Sequence, residues 1–109
     1  MDKVNIYEVL QPDRFKTWIK TAFTEVGITS EELLKDDKKV EKAALIAYEK
    51  IPLFPFRVVI KTTIGKNGFI KLIFNVRDKM LETKSVDLSW LNLENLKAIL
   101  SKITKDKSG

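Results

Sequence analysis

The chain has neither cysteine nor histidine among its 109 residues. Without cysteine there is no disulfide framework, no thiolate nucleophile and no thiolate metal site. Without histidine the commonest general base is gone, and so is the commonest ligand for zinc, copper or iron. No run of 18 apolar residues occurs, and the opening MDKVNIYEVLQPDR puts charges where a signal peptide needs an apolar centre. The expectation is therefore a cytoplasmic protein with no membrane segment. Phosphate-loop spacing and a glycine-centred calcium loop are also missing. Neither a metal nor a small-molecule cofactor is expected, and an enzyme would need a buried carboxylate or lysine with a shifted pKa. The function class that remains is non-catalytic binding or regulation.

What is present is an ordinary globular composition, 44% hydrophobic and 32% charged. That is enough apolar content for one self-sufficient core, so residues 1–109 read as a single domain with a fraying tail over 105–109. The net charge of +5 is unevenly spread. Residues 1–55 carry nine Lys/Arg against ten Asp/Glu, and residues 56–109 carry eleven against five, so the basicity belongs to the second half. Such asymmetry points to an anionic partner, nucleic acid or an acidic protein surface.

Helical spacing is clearest from Asp13 to Val26, where Phe15, Trp18, Ile19, Ala22, Phe23 and Val26 form one stripe. Trp18 and Phe23 are expected in the core, Asp13 as N-cap and Gly27 as the stop. Asn5 with Glu8 reads as a capping box for one short turn to Leu10. A short helix is expected from Thr29 to Leu34. Another, capped by Asp36 or Asp37, runs to Lys50 with Val40, Ala43, Ala44, Ala47, Tyr48 and Ile51 on its stripe. Pro52 and Pro55 end it. A last helix spans Asn92 to Thr104 on Leu93, Leu96, Ile99, Leu100 and Ile103.

The stretch between is ambiguous. Around Gly65-Lys66-Asn67-Gly68, FRVVIKTTI and FIKLIFNV pair as a hairpin when Lys66, Asn67 and Gly68 form a three-residue loop with Gly68 left-handed. In that register Ile64 faces Ile70, Ile60 faces Phe74 and Val58 faces Val76, so one face is apolar on both strands. The β-branched content agrees, and Val86, Leu88 and Trp90 alternate as a possible third strand. The sequence thus predicts an α+β domain: helical N-terminal half, β-hairpin or small antiparallel meander, C-terminal helix. The alternative is all-α, with 55–82 as two helices, because Phe69, Leu72, Ile73, Val76 and Met80 also fit a helical stripe and RDKMLE favours helix.

The hairpin's outward face holds the candidate binding residues, Arg57, Lys61, Lys71 and Arg77, with Lys66 at the tip. Arg57 lies directly opposite Arg77, and like charges so opposed destabilise a sheet by roughly 0.2 to 1 kcal/mol. An anionic partner relieves that repulsion, as would carboxylates from a packed helix. No helix carries the run of Arg, Asn and Gln that reads base edges, so sequence-specific readout is not expected. RNA contact would need an exposed ring, and Phe69 beside the loop is the candidate. The alternative function is a protein-interaction module using the last helix or an apolar patch at Phe54 and Phe56.

Overall fold

Pro12, whose fixed φ suits the first helical position, opens α1 (Pro12–Glu25). The computed structural model describes residues 11–52, 56–84 and 88–108, with side chains through Ile103; the expected turn over 5–10, the patch residue Phe54 and Val86 of the third strand lie outside these. Asp13 sits in the first turn of α1 rather than capping it. The helix closes on Gly27 at φ 81°, with Ile28 N–H donating to Phe23 O at 2.8 Å and Gly27 N–H to Thr24 O at 3.0 Å. That is a Schellman stop, in which a left-handed glycine satisfies orphan carbonyls. The expected helix from Thr29 shrinks to a 3₁₀ turn, Leu33–Lys35.

Asp36 then caps α2 (Asp37–Lys50), accepting from the N–H groups of Lys38 and Lys39 at 3.1 and 3.2 Å. The buried stripe of α2 contains Ala43, Ala44 and Ala47. Small side chains let neighbours approach closely, and α2 packs against both α1 and the long helix described next.

The segment read as a hairpin is two helices, α3 (Val58–Thr63) and α4 (Gly65–Thr83). The α+β prediction is thereby corrected: the described residues contain five helices and no strand. A lone two-stranded ribbon is marginal in water and needs further strands or a packing partner, whereas the helical stripe of α4 continues past the would-be strand to Met80. It buries Gly68, Phe69, Leu72, Ile73, Val76 and Met80 together. Burial of that order outweighs β-propensities, which span about 1 kcal/mol and change with context.

The glycines exchange roles as well. Gly65, not Gly68, takes the positive φ, 77°, and turns the chain sharply between α3 and α4. Gly68 is buried inside α4.

α5 (Leu93–Ser108) follows, its first turn satisfied by Asn92 Oδ1, which accepts from Asn95 N–H at 2.9 Å. Leu96, Leu100 and Ile103 are buried as the helix packs on α4, and its backbone stays helical to Ser108. At the centre, the Phe69 ring meets Phe15 at 6.3 Å and Tyr48 at 5.5 Å, joining α1, α2 and α4. Phe23 is buried as expected, while Trp18 is half-buried at the margin of the core beside Phe56.

Candidate functional site

The two arginines expected to oppose each other across a sheet lie instead at opposite ends of α2. At its C-terminal end, Pro52 stops the helix and leaves carbonyls without intrahelical donors. Arg57 fills them: its Nη2 donates to Glu49 O at 3.0 Å and Ile51 O at 3.1 Å, and its Nε to Ile51 O at 3.2 Å. A cation at a helix C-terminus is favoured by the helix dipole as well.

Arg77, from α4, clamps the other end. Its Nη1 donates to Leu34 O at 2.9 Å and to Asp37 Oδ1 at 2.7 Å, and its Nε to Asp78 Oδ1 at 2.7 Å. Burial works against the guanidinium charge, but the hydrogen bonds and attraction of Asp37 and Asp78 outweigh it, and the pKa is raised. A raised basic pKa contributes stability that is fully present below the ordinary arginine range and fades only above it, so the clamp holds at every pH a binding experiment uses. The Asp37 carboxylate is 74% exposed, so the ion pair itself contributes little. The bond to the Leu34 carbonyl matters more. Arg77→Met, which keeps an apolar stem, is expected to cost about 1 to 2 kcal/mol in urea unfolding, while Asp37→Asn costs less than about 1.

The lysines are placed differently. Lys61 on α3 and Lys66 and Lys71 on α4 are all exposed. Lys66 Nζ lies 5.9 Å from the centre of the Tyr48 ring, and Arg57 Cζ lies 5.7 Å from the same ring, so these two cations converge at the C-terminal end of α2. Lys71 stands on the other side of α4, with Asn67 beside Ile64 and Ile103. The five predicted residues therefore do not share one flat face. Arg57 and Lys66 come together, Lys61 and Lys71 flank the same α3–α4 joint, and Arg77 is a dozen residues along α4 with its own partners.

No Asp or Glu occurs between Glu49 and Asp78, so the exposed lysines have no carboxylate neighbour within that stretch of the chain. The first turn of α4 likewise has no acid, and no side chain caps it. The ring proposed for RNA stacking is unavailable, because Phe69 is fully buried. On α5, Leu96, Leu100 and Ile103 are buried in the fold while Leu93 is exposed, and Phe56 is half-buried between Trp18 and Arg14, whose guanidinium lies 4.6 Å from its ring. No family model matches the chain, and no curated protein or solved structure matches it. Among the described residues, no group of three or more acidic side chains is placed to hold a metal ion, and no helix is long and apolar enough to cross a membrane.

Proposed function

We propose that this chain is a non-catalytic binding domain of the cytoplasm whose partner is anionic and docks on the lysines around the α3–α4 joint. The observation that supports this reading is the exposure of Lys61, Lys66 and Lys71 within a stretch free of carboxylates. Potential of one sign, uncompensated over a local surface, raises encounter rates with polyanions and is screened by salt. Convergence of Arg57 and Lys66 on the Tyr48 ring adds to it, because an anion held there offsets the repulsion between two like charges. Arg77 serves the fold, so the binding set narrows to the three lysines, with Arg57 adding its charge beside Lys66.

The test uses a short DNA duplex as a polyanion, with binding followed by fluorescence anisotropy. Three phosphate contacts lose affinity about 40-fold between 50 and 200 mM salt. The variant Lys61→Glu, Lys66→Glu, Lys71→Glu is expected to abolish binding with its unfolding midpoint kept, because all three side chains are exposed. Salt-independent binding that survives the triple variant rules this reading out.

A further inference from the structure

A recess of about 420 Å³ opens between the C-terminal half of α1 and the distal part of α4, far along the chain from the lysine-bearing joint. Its apolar wall is formed by Phe23 of α1, Ile28 just past the Schellman turn, Met80 of α4 and Leu88. Its polar edge is Lys20, Thr24 and Thr29. Lys20 and Thr24 are one helical turn apart on α1, so ammonium and hydroxyl lie along one side of the opening. The volume falls within the range of small-molecule sites, which combine mostly apolar walls with a few polar groups.

We infer that this recess binds a small anionic amphiphile: a monocarboxylate with a slim, medium-length apolar tail. The tail lies between Phe23, Met80 and Leu88, and the carboxylate meets Lys20 and the Thr24 hydroxyl. Three observations select this class. The wall side chains are only 1 to 6% exposed, so they present little apolar surface at the opening, unlike the broad apolar patch that a protein surface or helix needs. Met80 is unbranched and pliable, able to shift around an inserted chain. Lys20 has no carboxylate partner among the described residues, and the residues one turn away on α1 are Lys16, Thr17, Phe23 and Thr24. Among the described residues this leaves one cation with hydroxyls at the opening, which balances one negative charge. A phosphate dianion would leave charge over at the mouth of an apolar cleft.

This inference stands apart from the polyanion reading, and its test uses a different probe. Decanoate, below its micelle concentration, is titrated into the full chain while backbone amide resonances are followed, with decanol as the uncharged control. Saturable shifts are expected at Phe23, Thr24, Ile28, Thr29 and Met80. Lys20→Gln, at an exposed position, is expected to weaken decanoate about fivefold, the effect of one partly exposed ion pair, and to leave decanol unchanged. Thr24→Phe, also exposed in the native chain, fills the opening and abolishes both. The inference is overturned if no saturable shifts occur, or if Lys20→Gln leaves decanoate affinity intact. Shifts centred on Lys61, Lys66 and Lys71 would overturn it too, as would shifts of the recess residues on raising protein concentration alone, which mark a second copy as the occupant.

Discussion

Replacing Phe69 by alanine is expected to remove about 3 to 5 kcal/mol of folding stability, a large share of the roughly 5 to 15 kcal/mol typical of a domain. The ring is fully buried and is the point at which three helices meet. It packs edge-on against Phe15, with an interplanar angle of 72°, and in a tilted arrangement against Tyr48. Such aromatic pairs add about 0.5 to 1.5 kcal/mol each beyond burial. Truncation thus loses transfer energy, two ring contacts and the filling of a cavity that α1, α2 and α4 cannot jointly collapse. Phe69→Leu, closer in volume, is expected to cost much less, about 1 to 2 kcal/mol. Urea unfolding followed by far-ultraviolet circular dichroism measures both. The result also separates the two architectures, because the hairpin register places Phe69 on the outward face beside the loop, where truncation would cost little. A near-wild-type midpoint for Phe69→Ala would contradict the helical packing.

The parts of this fold legible in the sequence are those in which only one period fits. In α1 the stripe from Phe15 to Phe23 persists over more than two turns and is bracketed by Pro12 and Gly27. α2 announces itself through Asp36 and a run of alanines, which have no preference for strands. The stretch from Phe56 to Met80 lacked such exclusivity. Ile60, Ile64, Ile70, Phe74 and Val76 satisfy a two-residue alternation, while Phe69, Leu72, Ile73, Val76 and Met80 satisfy a helical one. What decided between them is non-local: α1 and α2 offer Phe15 and Tyr48 to a ring arriving on a helix, and the described chain offers no third strand to a hairpin.

The candidate site was legible in composition and illegible in geometry. The surplus of basic residues in the second half is plain in the sequence, and three exposed lysines carry part of it. The roles of Arg57 and Arg77 were hidden because most of their acceptors are backbone carbonyls, which every residue has. One trace existed. Pro52 ends α2 and orphans its last carbonyls, and an arginine five residues later is a donor within reach of them.

Gly68 illustrates how a residue is read correctly as special and for the wrong reason, and it yields the second large effect. A glycine in the interior of an exposed helix is normally improved by alanine, by about 1 kcal/mol. Here the sign reverses. A Cβ at Gly68 would lie 2.8 Å from Ile64 Cβ, 3.3 Å from Ile64 Cγ1 and 3.6 Å from Ile103 Cγ2. The nearest obstacle is not the end of a flexible side chain. Ile64 Cβ is attached directly to the backbone at the sharp bend before Gly65, so relief demands that the α3–α4 joint itself move. Gly68→Ala is accordingly expected to destabilise by about 1 to 2 kcal/mol, and Gly68→Val, which adds two branches toward Ile103, by about 3. Lys66→Val, exposed in the same turn, is expected to cost less than about 1 kcal/mol. Shortening Ile64 to alanine keeps its Cβ and so is not expected to rescue Gly68→Ala; the double-mutant coupling should stay within about 0.5 kcal/mol of zero. A neutral or stabilising Gly68→Ala would show that the helices meet more loosely than the structure has them, and a strong rescue by Ile64→Ala would move the obstacle from the chain bend to the outer carbons of one side chain.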